Sequence, residues 1–378
     1  MNDKSFKELQ NKAIDAQLCL FCGLCVSICP EKSIEFREDG PKLVGECTNC
    51  GRCLKACPGL GSPLDKLDKM VFGRNKSEDE DLSGFGISLM DENFVSCDQK
   101  ILDHGYTGGK LTGILTYLLE KKEIDGAIIS VWGEKSPFPW FSWPVIARTR
   151  EDIIKGAGSK YTFSPNLMPL REVALNRDID KIAIVGLGCH IQGLRKLQFL
   201  DVPYSNFVKK IKYMFGLYCG APMVSRDDFM AYIARICDVK SQDITAISFK
   251  RVSEEFDVEF DLILKEGKKA GKRMNLLELF EIIRQEKSWH RCTFCTDYSA
   301  EYADISFGGF HVTSRTEKGD KLLQQVLADG CLVPAPKNEL FEQLAKQIDK
   351  AASSMKKKNN RKRLNDFKTR GMPIPDYM

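Results

Sequence analysis

The sequence predicts two parts of different class: a small α+β domain, then a larger mixed α/β domain. Three observations carry this. Two cysteine runs near the N-terminus share one spacing. Strand-like apolar runs alternate with helical patterns from Cys97 onward. A second group of cysteines falls where those predicted strands run out.

The first run is Cys19-Leu-Phe-Cys22-Gly-Leu-Cys25-Val-Ser-Ile-Cys29-Pro30, and the second is Cys47-Thr-Asn-Cys50-Gly-Arg-Cys53-Leu-Lys-Ala-Cys57-Pro58. Both read C-x2-C-x2-C-x3-C-P, the bacterial-ferredoxin pattern, in which the fourth cysteine ligates the other cluster. One 4Fe-4S cluster is therefore assigned to Cys19, Cys22, Cys25 and Cys57, the other to Cys47, Cys50, Cys53 and Cys29. A zinc ribbon would need only two C-x2-C pairs. Thiolates at this density suit iron–sulfur chemistry, so the chain is expected to carry electrons one at a time.

The chain has 378 residues, 43% of them hydrophobic and 29% charged, an ordinary globular composition with room for several domains. The N-terminus lacks the apolar core of a signal peptide, and no apolar stretch approaches a spanning helix. Fifteen cysteines, most wanted as ligands, favour a reducing cytoplasm over disulfides. A net charge of +4 gives no argument for nucleic acid. Lys356 to Arg363 form a basic run, expected as a solvated helix end or tail; docking to an acidic partner or an anionic membrane is the sharper reading.

Along the chain, residues 1–60 form the ferredoxin module. Residues 61–96, with the acidic stretch Ser77-Glu-Asp-Glu-Asp81, read as a connector wrapped over the surface. Lys110 to Lys122 has helical periodicity, with Leu111, Ile114, Leu115, Leu118 and Leu119 on one face as core. Asp125–Trp132, Lys181–Gly186 and Tyr213–Tyr218 read as buried strands of a mainly parallel sheet. Ile247–Lys250, Phe256–Ile263 and a Gly-Lys-Lys-Ala-Gly turn suggest an antiparallel excursion. Residues 97–335 make the second domain, and 336–378 a C-terminal helix and basic tail.

Cys292-Thr-Phe-Cys295 is a lone C-x2-C pair, while Cys189 and Cys219 each end a predicted strand. Ligands in α/β sheets gather at the carboxyl ends of strands. These four are expected to converge on a third 4Fe-4S cluster; a redox C-x2-C or a zinc site stays open on spacing alone. Thr107-Gly108-Gly109-Lys-Leu-Thr112 opens the first clear helix, where backbone N–H groups can face a phosphate. It is neither a Walker A sequence nor G-x-G-x-x-G, so a plain loop-to-helix turn is an equal reading. Gly158-Ser159-Lys160-Tyr161-Thr-Phe-Ser164 is a second small polar loop. His190 faces a ligand or caps its helix, and Asp297 and Asp304 orient ligands or backbone.

Thr-Gly-Gly before a helix, Gly-Ser-Lys-Tyr, Gly-x-x-Cys189-His-Ile-Gln-Gly-Leu-Arg-Lys196 and Cys292-x-x-Cys295-x-Asp297 with Ala303-Asp-Ile-Ser-Phe-Gly308 occur in this order. Together they resemble the family of coenzyme F420 hydrogenase/dehydrogenase beta subunits, over roughly residues 97–335. With two ferredoxin runs in front, the architecture is most similar to the family's F420H2-oxidising input subunits. The resemblance implies a flavin-binding α/β domain with bound FAD, a further 4Fe-4S cluster and coenzyme F420 as substrate. It implies cofactor contacts at Thr107, Gly108, Gly109, Thr112, Ser159, Lys160, Tyr161, Ser164, His190, Gln192, Arg195 and Lys196. Lys160, Arg195 and Lys196 are the candidate cations for the acidic F420 tail or for FAD, and the sequence does not divide them between the two. Electrons are expected to run from reduced F420 to FAD, to three clusters, and to partner subunits of a larger complex. A peripheral position on the inner membrane face is one option for that complex. Alternatives are an F420-reducing beta subunit of a hydrogenase or formate dehydrogenase, and an F420-independent reductase of the same fold. Residues 1–60 are expected to act as a separable exit wire.

Overall fold

The computed structural model describes residues 5–105, 107–132, 142–160, 162–200, 207–220, 226–252, 257–275, 278, 289–336 and 339–377. In the cysteine-rich part, helices Leu24–Ile28 and Arg52–Ala56 each carry the third cysteine of a run, and strands β1 (Ile34–Arg37) and β2 (Gly40–Leu43) pair antiparallel between them in the chain. Next come β3 (Met90–Glu92), β4 (Phe94–Ser96), β5 (Gly126–Val131), β6 (Trp143–Ala147), β7 (Ile182–Leu187) and β8 (Ile211–Leu217). Strands β9 (Ile244–Val252), β10 (Asp257–Leu264), β11 (Lys269–Asn275), β12 (Ile305–Phe307), β13 (Val312–Ser314) and β14 (Leu332–Pro334) follow.

A seven-stranded sheet of order β3-β13-β12-β8-β7-β5-β6 organises the chain. Its four inner strands, β12, β8, β7 and β5, run parallel, and the outer strands are antiparallel. Burial explains the inner sequences. Ile-Ala-Ile-Val-Gly-Leu of β7 is covered on both faces, as a parallel strand requires. Its side chains alternate: Ile182 and Ile184 join Ile128 and Met214 on one face, whereas Ala183 and Val185 join Ile129 and Phe215 on the other. Helices Lys110–Glu120 and Glu317–Ala328 cover the second face through Ile114, Leu118, Leu322 and Val326. The leucine stripe is core, as its periodicity indicates.

The first face is covered by helix Gly188–Leu200 together with the cysteine-rich part. Phe6, Leu9, Leu24, Ile28 and Ala56 share one apolar core with Leu167, Leu170, Ile191 and Leu194. Residues 1–60 are therefore not a detachable wire: removing them would strip the cover from one face of the sheet. The expectation of a separable module is corrected on this point.

Residues 61–96 are more than a surface connector. They hold helices Leu64–Phe72 and Glu78–Ser83, and β3 is an edge strand of the main sheet. The short helix is fixed by a capping box between Ser77 and Glu80. Arg315, 1% exposed, donates to the carbonyls of Phe85 (2.6 Å) and Ile87 (2.9 Å), and so anchors this segment to β13. The basic run is also not a tail. It lies inside the long helix Glu339–Thr369, where Lys357 pairs with Asp81 (2.8 Å) and Glu301 (3.4 Å), and Arg361 pairs with Asp81 (2.6 Å). The acidic and basic stretches are partners of each other.

Strands β9, β10 and β11 form a separate antiparallel sheet. Packed with helix Arg226–Ile236, they share a small core of Ile233, Ile244, Ile247 and Leu262. The reversal comes at Lys265–Gly267, and most of the Gly-Lys-Lys-Ala-Gly motif belongs to β11. Among the described residues no helix is long and apolar enough to cross a membrane.

Asp304, 1% exposed, sits just before β12 and pairs with Arg195 at 3.1 Å and Lys318 at 2.9 Å, while accepting from Met214 N–H at 2.8 Å. Burial works against its charge, but Arg195 and Lys318 outweigh it and hold the carboxyl below its ordinary value. Asp304→Asn leaves Arg195 buried with its charge unmatched and should cost about 3 kcal/mol. The wild-type advantage should be full at neutral pH and vanish only as pH falls below about 4, through the lowered pKa of the native state. Urea unfolding of both proteins across that range is the check.

Candidate functional site

The carboxyl ends of β7, β8 and β12 lie level, since Leu187 pairs with Leu217 and Leu217 with Phe307. Cys189 occupies the first turn of the helix that leaves β7, and Cys219 follows β8 by two residues. Cys292 and Cys295 lie at a tight turn, His290–Phe294, closed by Cys295 N–H donating to Cys292 O at 3.1 Å. These segments bring the second group of cysteines together. Burial pushes the Cys189 thiol well up, and Cys295, Cys219 and Cys292 add to the rise.

The ferredoxin-type thiols gather in the two expected sets, each with its fourth member from the other run. Burial pushes Cys19 up to about 12, with Cys57 adding to it. Cys25 is raised by burial and then by Cys22, Cys19 and Cys57. Cys53 is pushed up to about 12 by burial, followed by Cys50, Cys47 and Cys29 among its raising neighbours. Cys29, Cys47, Cys50 and Cys53 line one small pocket, walled by Phe6 and Ile34. No disulfide joins any of the fifteen cysteines. Among the described residues no three of His, Cys, Asp or Glu close tightly enough to hold a single metal ion.

The three sets are neighbours. Cys22 of the first ferredoxin set also acts on Cys189, and Cys53 of the second acts on Cys25. The order is thus sheet edge, first set, second set, and Cys50 of the second set is exposed.

Cations and other donors hold the ligand loops through backbone carbonyls. Lys196 donates to Cys57 O (3.0 Å) and Gly61 O (2.7 Å), and Arg171 to Cys29 O (3.1 Å). Trp289 Nε1 donates to Cys19 O at 2.7 Å. Arg291, 2% exposed, donates to Gly59 O at 3.1 Å, and its Nη1 is buried without a hydrogen-bond partner. It lies over the Tyr377 ring, and its charge acts on Cys57, Cys295 and Cys189. A buried donor left over beside thiols of two sets is what an anionic sulfide cluster would satisfy. From the C-terminal helix, Lys356 reaches Cys219 O and Asp297 O, both at 2.7 Å, and Asn360 reaches Cys295 O at 2.6 Å. Sequence reasoning missed Arg291, Trp289, Lys356 and Asn360. The signal was there for the last two, four residues apart on one helix face.

The residues expected to contact a cofactor divide. Gly108 and Gly109 adopt positive φ (74° and 62°), and a Cβ on them would meet Val95 and Ile101 at 2.5 Å, so packing within the chain already demands both glycines. Thr107 and Thr112 are half-buried around this turn, and the neighbouring Lys110 donates to Gly309 O (2.8 Å) beyond β12. Ser164 bonds Ser130 of β5 (3.1 Å), beside Asn166, which donates to Val185 O of β7 (3.0 Å). Ser159 is half-buried, and Tyr161 lies outside the described residues. Lys160 is bonded to the carbonyls of Gly156, Ala157 and Gly158, and burial pulls its amine down to about 7.

The remaining four serve the chain itself. His190 caps its helix, its Nδ1 accepting from Leu187 N–H at 3.2 Å, and burial lowers it to about 4, so it is neutral at pH 7. Gln192 donates to Asp297 at 3.0 Å, and Asp297 also accepts from Glu301 N–H at 3.1 Å. Arg195 is taken up by Asp304, Tyr302 O and Gln198. Lys196 faces the ferredoxin loop. Arg195 and Lys196, expected as cations for an acidic ligand, are already engaged by the fold. Gly188 is needed for close approach, because a Cβ there would stand 2.3 Å from Asp297 Oδ2. Gly188→Ala should displace Asp297, cost about 1–3 kcal/mol as an overpacked site, and lower the thermal midpoint seen by circular dichroism.

Residues 95–171 match the N-terminal part, and residues 179–339 the C-terminal part, of the coenzyme F420 hydrogenase/dehydrogenase beta subunit; residues 11–58 match a 4Fe-4S dicluster domain. The chain is 26% identical over 371 residues to a subunit of the F420H2 dehydrogenase of Methanosarcina mazei, covering 92% of each. It is 29% identical to the coenzyme F420-dependent sulfite reductase of Methanocaldococcus jannaschii, where the match covers 84% of this chain but only 47% of that protein. Among solved structures, it is similar to a chain of the F420-reducing [NiFe] hydrogenase complex from Methanosarcina barkeri, with a TM-score of 0.58, 25% identity and coverage of 77% and 96%. The chain belongs to the family of coenzyme F420 hydrogenase/dehydrogenase beta subunits and carries a 4Fe-4S dicluster domain ahead of the family region.

Proposed function

We propose that this chain is an electron-input subunit: it takes a hydride from reduced coenzyme F420 onto bound FAD and passes single electrons through three 4Fe-4S clusters to a partner subunit. The observation that carries this is the unbroken order of thiol sets from the sheet edge to exposed Cys50. When bound, FAD accepts two electrons together and releases them singly, which a hydride donor and one-electron clusters require of a cofactor between them.

The chain's residues fit these groups in kind. Cys189, Cys219, Cys292 and Cys295 would hold the third cluster, with Arg291 Nη1 available to its charge. The turn at Thr107–Thr112 and the Ser159–Ser164 loop would hold FAD by backbone and hydroxyl donors on either side of that set. Whereas Arg195 and Lys196 are tied to distant parts of the chain, Lys160, held only by the carbonyls of its own loop, would be the cation for an acidic group. Its lowered pKa makes an anion beside it doubly favourable, since the anion would restore the ammonium. The second ferredoxin set would be the exit, and the partner would dock over Cys50, where Leu43 (41% exposed) and Val44 (43%) are uncovered.

The similarity over nearly full length to an F420H2 dehydrogenase component supports the oxidising direction. The likeness to a chain of an F420-reducing hydrogenase supports the reverse direction, which the partner's potential would impose on the same residues.

Purified without oxygen, the protein should contain FAD and about twelve iron atoms, four for each cluster. Mixing with reduced F420 should bleach the flavin absorbance. Reduction by nicotinamides and not by F420 would overturn the substrate assignment. Cys292→Ser should lower the iron to about eight and spare the ferredoxin pair; unchanged iron would remove the third cluster.

A further inference from the structure

The helix Glu339–Thr369 lies almost wholly beyond the stretch 179–339 that the family matches, yet it places a charge against the third thiol set. Lys356 is half-buried along its stem, and its ammonium points inward. Its hydrogen bonds go to Cys219 O and Asp297 O, both at 2.7 Å. Asp297 O in turn accepts from Cys295 Sγ at 3.4 Å. Among the described residues no carboxylate lies within ion-pairing distance of Lys356. Its neighbour Lys357 is the contrast: that ammonium is matched by Asp81 at 2.8 Å and Glu301 at 3.4 Å. Two adjacent lysines therefore do different work. One closes an ion pair with the acidic helix, and the other turns its positive charge toward Cys295, Cys219 and Cys292, with the Asp297 carboxylate acting on it from beyond ion-pairing distance.

A 4Fe-4S cluster on four thiolates is an anion, and reduction adds one electron and one more negative charge. A fixed cation in a buried setting favours the more negative state, and its effect is large where water is excluded. We propose that Lys356 is a positioning residue whose ammonium raises the reduction potential of the cluster at Cys189, Cys219, Cys292 and Cys295. This rests on the third-cluster reading above. One electron enters the cluster, no bond forms or breaks, and the lysine keeps its proton throughout. The consequence is an acceptor at the sheet edge that takes single electrons readily, supplied by a helix outside the family region.

The test uses the full chain, loaded with iron and sulfide without oxygen and titrated potentiometrically under electron paramagnetic resonance. Lys356→Gln keeps a donor to the carbonyls and removes the charge; Lys356→Arg keeps the charge. With iron content unchanged, Lys356→Gln should shift one cluster's midpoint to a more negative potential and leave the other two in place, and Lys356→Arg should stay close to wild type. Unmoved midpoints in Lys356→Gln would overturn the proposal. So would an equal shift in both variants, or loss of about four iron atoms from both, which would show a purely structural role. A wild type with only about eight iron atoms would overturn it at the earlier step, by removing the third cluster itself.

Discussion

Gathering three sets of four thiols into one buried region is the constraint on which the rest of the structure depends. With the clusters proposed above, each set would be an anion, and buried anions need compensation. The chain meets this by wrapping the ligand loops in donors aimed at their carbonyls. Arg171, Lys196, Arg291 and Lys356 come from four different segments and converge on residues 57–61, Cys29, Cys219 and Asp297. The N-terminal runs, the sheet edge and the C-terminal helix must all be in place together. That is why the ferredoxin-like part shares a core with the sheet.

The sheet supplies rigidity where it is most useful. Four parallel strands form its centre, three of them end level, and two of those launch cysteine-bearing segments within two residues of their last paired position. The ligands thus inherit their positions from strands buried on both faces. Gly188 permits Asp297 to approach the first turn after β7, and Asp297 ties that turn through Gln192 to the loop carrying Cys292 and Cys295. Small shifts in this contact would be felt by three of the four thiols.

Much of this was legible in the sequence. The cysteine spacings pointed to a dicluster domain near the N-terminus, and residues 11–58 match one. Apolar runs located β5, β7 and β8, and period-four leucines located the helix Lys110–Glu120. What escaped was long-range pairing. Asp81 and Arg361 are each unremarkable in their own segments, and only the folded chain shows that the acidic stretch and the basic run meet. Arg195 and Lys196 looked like ligand cations because the family resemblance put cofactor contacts in their segment and an acidic ligand needs cations, but their partners, Asp304 and the carbonyls of Cys57 and Gly61, lie over a hundred positions away along the chain. Lys356 sat inside a run whose composition suggests solvent, and its inward direction depends on helix register against Cys219 and Asp297.

If the thiol sets form one path, the Cys19, Cys22, Cys25 and Cys57 set is its middle. The direct measurement removes that middle. A Cys19→Ser protein retaining about eight iron atoms is mixed with reduced F420 and freeze-quenched for electron paramagnetic resonance. A reduced signal is expected from the Cys189, Cys219, Cys292 and Cys295 set, with the Cys29, Cys47, Cys50 and Cys53 set still oxidised on the timescale of wild-type transfer. Equally fast reduction of the latter set would contradict a single path.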